Sequence, residues 1–295
     1  MRLPAFDVVP ARTVAEAAGL LRELGEASVV LAGGTELLLL LKLGFAEYTH
    51  LIDIKHIPEL QALRVTDGFL EIGGAITHRQ LERSPLVRAG WPALASMEHG
   101  VANVRVRGVG TLAGNLCFAD PHSDPATFLM AAGAIVVCGG ASPVRRVPLD
   151  EFLIGPYQTA LDRHELLTAI LVPVLRSGAA MVHTKLSFRE RPAVTVACQV
   201  QVDGGRMVGV RVAVGSVGVV PVRARTAETL LVGGSADRLD AVALDAAAVA
   251  AADESGPVAD ANGSVEYKRH LVGVLMKRCL REAAAAASGR AAPSA

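Results

Sequence analysis

The apolar positions of the chain repeat at two different periods, and the switches between them divide it into segments. Over the first fifty residues, short β-branched and leucine runs at 6–9, 28–31 and 49–54 alternate with helix-length stretches at 14–24 and 36–43. This segment therefore predicts strand, helix, strand, helix, strand. Thr13 with Glu16 forms a capping-box pattern at the first helix, and Gly25 is placed to end it. Gly33-Gly34 separates the second strand from its helix, with Thr35 at the N-cap position. Beyond Pro58 the pattern shortens. Residues 63–65 and 69–72 flank Thr66-Asp67-Gly68 as a hairpin. Short helices follow, one capped by Thr77 with Gln80 and another near Trp91-Pro92. Residues 101–116 are rich in Gly, Asn and β-branched side chains, after which 126–132 reads as helix and 134–138 and 165–172 as strands. Arg176-Ser177-Gly178 marks a link. The last part opens with a strand at 181–188, then pairs 194–202 with 207–214 across Asp203-Gly204-Gly205. It ends in helices at 226–231, about 238–252 and 266–287, with Leu271, Leu275 and Leu280 on the apolar face of the last. The expected division is residues 1–57, 58–175 and 176–288, with 289–295 a disordered tail.

Composition narrows what such a chain does. With 295 residues and 51% hydrophobic content it can bury a substantial core. Lys+Arg and Asp+Glu both total 29, so there is no basic field to attract nucleic acid or an anionic membrane. A mean hydropathy of +0.39, carried by Ala, Val and Leu because aromatics are only 4%, suggests apolar surface covered by partner subunits. The apolar stretches at 37–41 and 166–175 fall short of the roughly 20 residues a spanning helix needs. The N-terminus has no signal-peptide pattern, so a cytoplasmic protein is expected. Cys117, Cys138, Cys198 and Cys279 are dispersed without a Cys-x-x-Cys pair, so no zinc or iron–sulfur site is encoded here. His78, His99, His122 and His183 have no ligand spacing and read as structural or surface residues.

Two glycine-containing segments carry the candidate chemistry. A strand, Gly33-Gly34 and a helix N-terminus in succession form an anion-receiving arrangement, because free N–H groups and the helix dipole point at the turn. Val109-Gly110-Thr111-Leu112-Ala113-Gly114-Asn115 reads as a second loop of small residues offering backbone donors, a hydroxyl and a carboxamide. Two such loops can close on one pyrophosphate. Each charge-assisted hydrogen bond contributes about 1.5–3 kcal/mol, so several could hold a dinucleotide without Lys or Arg.

The string Leu31-Ala32-Gly33-Gly34-Thr35-Glu36-Leu37-Leu38, with Lys42 and Leu51-Ile52-Asp53-Ile54 after it, resembles the first FAD loop of the flavoprotein subunits of xanthine dehydrogenase and carbon monoxide dehydrogenase. Gly110-Thr111-Leu112-Ala113-Gly114-Asn115-Leu116, followed by Ala119-Asp120-Pro121-His122-Ser123-Asp124, resembles the second. The spacing of about 75 residues fits as well, and the similarity reaches Tyr267-Lys268-Arg269, covering essentially the whole chain. The resemblance implies an α+β architecture with the FAD-binding fold of the vanillyl-alcohol oxidase type and a C-terminal three-stranded sheet plus helices. It also implies FAD as this chain's cofactor. Ala32, Gly33, Gly34, Thr35, Glu36 and Leu37, together with Thr111, Leu112, Ala113, Gly114 and Asn115, are then the pyrophosphate contacts. Asp124 accepts a ribitol hydroxyl, Lys185 lies near the flavin or its phosphates, and Ala102 and Leu167 are apolar walls. Read from the residues alone, Asp124 before Pro125 is equally an N-cap, and Lys185 an ordinary surface lysine.

Where the family has a second consecutive glycine this chain has Ala113, which would cost about 1–2 kcal/mol if the position required positive φ. The resemblance further implies a large partner subunit with a molybdenum cofactor and a small one with [2Fe-2S] clusters, assembled as a dimer of heterotrimers. Electrons would pass from the clusters through FAD to NAD, quinone or oxygen. Gly34-Thr35-Glu36-Leu37 is closer to the broader hydroxylase form of the first loop than to the Gly-His-Ser-Leu form common in carbon monoxide dehydrogenases. The competing readings are a stand-alone FAD oxidoreductase of the same fold, such as the UDP-N-acetylenolpyruvoylglucosamine reductase type, and a flavin-free scaffold subunit. No catalytic acid or base is assigned, and no metal ligand.

Overall fold

The computed structural model describes residues 3–140, 143–188 and 191–289. The first segment forms β1 (Asp7–Pro10), α1 (Val14–Leu24), β2 (Ser28–Leu31), α2 (Leu37–Leu43) and β3 (His50–Asp53). Its strands pair in parallel in the order β1-β3-β2. The helix α1 buries Ala17, Ala18 and Leu21. Thr13 caps α1 by accepting from the Glu16 N–H at 3.1 Å, but the Glu16 carboxylate accepts from Arg12 rather than from Thr13, so the box is not reciprocal. Thr35 does not cap α2. The N-cap is Glu36, already in helical φ and ψ, with no side-chain bond to the helix end.

The middle of the chain builds an antiparallel five-stranded sheet in the order β4-β5-β10-β6-β7. β4 (Leu63–Thr66) and β5 (Phe69–Gly73) are joined by Asp67 and Gly68 at φ 50° and 80°, the pair of left-handed residues a two-residue hairpin turn requires. Six short helices follow, α3 (His78–Arg83), α4 (Pro85–Gly90), α5 (Pro92–His99), α6 (Val104–Val109), α7 (Leu112–Phe118) and α8 (Asp124–Ala132). Thr77 and Gln80 form the reciprocal capping box that the sequence predicts for α3. The chain then returns through β6 (Ile135–Gly139), β7 (Arg145–Pro148), α9 (Leu149–Phe152), the small hairpin β8 (Leu153–Gly155) and β9 (Gln158–Thr159), and β10 (Leu166–Pro173). β10 is central and buried on both faces, which is why it reads as a nearly unbroken apolar run.

The last part is β11 (Ala179–Ser187), β12 (Pro192–Asp203), β13 (Arg206–Gly215) and β14 (Val222–Arg223), in that spatial order, with α10 (Arg225–Leu231), α11 (Ala241–Glu254) and α12 (Val265–Ala287). The three long strands are those expected; β14 adds a two-residue edge paired with Ala213 and Val214. Gly204 and Gly205, at φ 53° and 74°, turn the β12–β13 hairpin. β12 packs on both sides. Val194, Val196, Cys198 and Val200 join the core with α11 and α12, whereas Ala197 joins the core containing Phe128 of α8. Small residues on the second side let α8 approach closely. Among the described residues no helix is long and apolar enough to cross a membrane. Of the expected tail, residues 290–295 lie outside the described residues.

Candidate cofactor cleft

A cleft of about 760 Å³ opens where the first sheet meets the middle of the chain. One wall is residues 32–37, which leave the C-terminal end of β2 and turn into α2; the facing wall is residues 111–115. The two segments touch. A Cβ on Gly33 would lie 2.4 Å from the Val109 carbonyl oxygen and 2.6 Å from Gly110 Cα, so only glycine permits this approach. The facing segment is held from behind, with His78 N–H donating to Gly110 O at 3.0 Å and Leu112 N–H to Ile76 O at 3.2 Å.

Residues 111–115 are not a loop but the first turn of α7. Thr111 is the N-cap, its hydroxyl oxygen accepting from the Gly114 N–H at 3.0 Å. Ala113 therefore has helical φ, and the strain expected from the missing glycine does not arise. The backbone N–H groups of Gly33, Gly34, Thr35, Glu36, Leu37 and Ala113 find no acceptor among the described residues. Unpaired donors on both walls of one cleft are an anion cradle.

Asp124 is not the N-cap that one reading made it. The N-cap of α8 is Ser123, and Asp124 is its first helical residue, 5% exposed. Its Oδ2 accepts from Lys185 Nζ at 2.6 Å, while its Oδ1 is buried with no partner. Burial pushes this carboxyl above its ordinary value, against the lowering effect of the Lys185 charge and hydrogen bond; Glu98 adds a small upward push. An unpartnered buried carboxylate oxygen costs free energy unless a ligand hydroxyl donates to it. His183, whose Nε2 is 3.9 Å from that Oδ1 and also unpaired, is held neutral by burial and by Lys185, its pKa pushed down to about 4.

The cleft brings together Ala32, Gly33, Gly34, Thr35, Glu36, Leu37, Ala102, Thr111, Ala113, Gly114, Asn115, Asp124 and Leu167. Two of the sequence-derived positions do not line it. Leu112 is fully buried in the core behind the wall, because in a helical turn it points away from its neighbours Thr111 and Ala113. Lys185 spends its ammonium on Gly100 O at 2.7 Å and on Asp124, and reaches the cleft only through that carboxylate. Ala102 adopts φ 41°, unusual for a residue with a Cβ, and is pinned by its neighbours: Arg107 donates to Val101 O and Lys185 to Gly100 O.

Sequence reasoning left several lining residues unassigned. Arg191, immediately before β12 of the third sheet, lines the cleft and pairs with Asp120 and, at 3.4 Å, with Glu36. Only the tertiary fold brings it there. Tyr157, at φ 58°, stacks edge-on with Phe118 at 5.2 Å between ring centroids, and both border the cleft. Asp120 and His122 lie in the 119–124 string, where Asp120 has no role assigned and His122 reads only as a structural or surface residue, yet both line the cleft. Cys117 lines the cleft as a neutral thiol, pushed up to about 12 by burial and, secondarily, by Cys138. Among the described residues no cluster of His, Cys, Asp or Glu could hold a metal ion.

A dinucleotide-sized cleft with unpaired backbone donors on both walls and a buried carboxylate oxygen without a partner fits a dinucleotide-binding module, and the comparisons with known proteins identify which kind. Residues 4–175 match the family model for the FAD binding domain in molybdopterin dehydrogenase, and residues 189–283 match the CO dehydrogenase flavoprotein C-terminal domain. The chain belongs to this family, the FAD-binding subunits of the molybdenum hydroxylases, which are oxidoreductases. It is 33% identical to the carbon monoxide dehydrogenase medium chain of Hydrogenophaga pseudoflava over 95% of this chain and 97% of that one. It is 30% identical to the xanthine dehydrogenase FAD-binding subunit of Escherichia coli O157:H7 over 95% and 96%. The carbon monoxide dehydrogenase structure from Hydrogenophaga pseudoflava superposes with a TM-score of 0.92 at 34% identity, covering 97% of this chain and 99% of that one. Quinoline 2-oxidoreductase from Pseudomonas putida 86 gives 0.90 at 27% identity, with the same coverage.

Proposed function

We propose that this chain holds one FAD in the cleft and passes electrons from [2Fe-2S] clusters on a small partner subunit, reduced at a molybdenum cofactor on a large one, to NAD, quinone or oxygen. The complex is a dimer of heterotrimers. The observation that carries the cofactor assignment is the set of unpaired N–H groups on residues 33–37 and 113, which line one cleft on the two sides that Gly33 and Val109 bring together. Ala32, Gly33, Gly34, Thr35, Glu36 and Leu37 would hold the pyrophosphate from one side and Thr111, Leu112, Ala113, Gly114 and Asn115 from the other, Leu112 by anchoring the turn. Asp124 Oδ1 would accept a ribityl hydroxyl, Lys185 would keep that carboxylate charged, and Ala102 and Leu167 would be apolar walls. The isoalloxazine supplies two-electron capacity with one-electron steps; the protein orients it and excludes water.

A flavin-free scaffold loses its main support, because Ala113 needs no positive φ. The test is the three-subunit complex, purified and mixed anaerobically with its reducing substrate. The expected result is a bound flavin absorbance band that bleaches together with the cluster bands. Reduced clusters beside a flavin that stays oxidised would refute the relay, and turnover by the isolated chain would favour the stand-alone oxidoreductase.

A further inference from the structure

The 119–124 segment, which supplies Asp120, His122 and Asp124 to the cleft, is held by its own neighbours and also, through its side chains, by residues beyond position 180. Its backbone is tied at Pro121, whose carbonyl accepts from the Ser216 N–H at 3.2 Å. The charged contacts go further. Lys268 on α12 is 1% exposed, and its Nζ donates to Val258 O at 2.8 Å and to Asp260 Oδ2 at 2.8 Å. The same Asp260 oxygen meets His122 Nε2 at 3.3 Å. The other ring nitrogen of His122 is 3.4 Å from Asp120 Oδ1, and Asp120 Oδ2 pairs with Arg191, which turns to Glu36 at the N-terminus of α2.

Polar side chains thus follow one another from a buried ammonium on the last helix to the rim of the cleft, with the His122 ring between the Asp260 and Asp120 carboxylates, through parts of the chain more than 200 positions apart. Burial of Lys268 fixes one end, since a lysine can be enclosed only with its ammonium fully paired. Burial pushes the Asp260 carboxyl up, but the hydrogen bonds from Lys268, the Asn262 N–H and His122 outweigh it and hold the group below its usual value. Asp260 is consequently a fixed anion to which His122 is tethered.

We propose that Lys268 and Asp260 are positioning residues for the cofactor cleft, setting the place of the 119–124 wall through His122 and Asp120. The cofactor consequence rests on the FAD reading above; the placement of the wall does not. The test uses the full chain with Asp260→Asn, which keeps the shape and removes the central anion, alongside His122→Asn, the double variant and Asp260→Glu. In the FAD-free chain, amide hydrogen exchange should quicken at residues 119–124 in Asp260→Asn while the β12–β13 hairpin is unchanged, and Asp260→Glu should restore it. With FAD added, flavin fluorescence should show affinity falling about threefold, the worth of one half-exposed ion pair. The double variant should lose no more than the larger single loss, since the residues act as one chain. Unchanged exchange at 119–124, or additive losses in the double variant, would overturn the proposal. If the wild-type chain binds no FAD, the cofactor reading fails and the exchange data still decide the positioning claim.

Discussion

Gly33 and Asp124 shape the cleft by opposite means. Gly33 acts through what it lacks. A methyl there meets backbone atoms of Val109 and Gly110, neither of which can rotate away. Gly33→Ala should force the two walls apart, costing about 1–3 kcal/mol of stability and weakening FAD binding in the same variant. Urea midpoints and flavin titration read the two effects, and an unchanged midpoint would show that the walls give way freely. Asp124 acts through an unpaired oxygen. Its carboxyl titrates above its unfolded value, so the native chain keeps that proton to higher pH than the unfolded one. The associated stability is full below the ordinary carboxylate range and is lost as pH rises through the raised value. Asp124→Asn should therefore flatten this decline in the FAD-free chain while weakening FAD binding. Urea midpoints at a series of pH values test it, and an identical decline in both proteins would assign the slope to another group. At this scale the sequence pointed to Asp124 but could not tell whether it caps the helix, because Ser123, its neighbour, is an equally good capping residue and takes that role.

Among the elements, the longer strands and helices were readable because each has one dominant period, whereas β7, β8, β9 and β14, of two to four residues, were not; the turns were readable because Asp67-Gly68 and Gly204-Gly205 need left-handed backbone. The region from residue 101 to 118 was not. Two helices of six and seven residues, separated by Gly110, leave too little periodicity to show above a background of glycine and β-branched residues. What holds them is tertiary. Glu82 of α3 accepts from Arg107 of α6 at 3.0 Å and pairs with His99 of α5 at 2.9 Å, and Arg107 in turn donates to the Val101 carbonyl beside the strained Ala102. The His99 hydrogen bond, against the opposing push of burial and with help from Arg107, holds the Glu82 carboxyl below its usual value. A depressed carboxyl contributes stability above its unfolded pKa and loses it as pH falls through the folded one. Glu82→Gln should cost about 2 kcal/mol at neutral pH by leaving Arg107 unpaired, and the difference from wild type should shrink in acid. Denaturation at two pH values measures both, and a difference that stays constant with pH would show that the charge of Glu82 is not what matters.

Across the whole molecule the cleft is a product of three separate stretches: residues 32–37, residues 102–124, and a rim reached by Arg191 from the third sheet. The first two were legible because they are local strings. The third was invisible because Arg191 and Lys268 have no motif of their own and acquire meaning only when folding brings them to Asp120 and Asp260. The cleft lining also includes the apolar side chains of Val30, Ile54, Leu161 and Leu166, apart from the residues with unpaired N–H groups. A dinucleotide has an adenosine half to cover such side chains, and a mononucleotide does not. FAD at a hundredfold excess over its dissociation constant should therefore stabilise the chain by about 2.7 kcal/mol, raising the melting midpoint by about 5 °C or more. FMN at the same concentration should raise it far less, since it lacks the adenosine half. Equal shifts from FAD and FMN would mean that the adenosine half gains nothing from the cleft, and that Val30, Ile54, Leu161 and Leu166 are not part of the cofactor site.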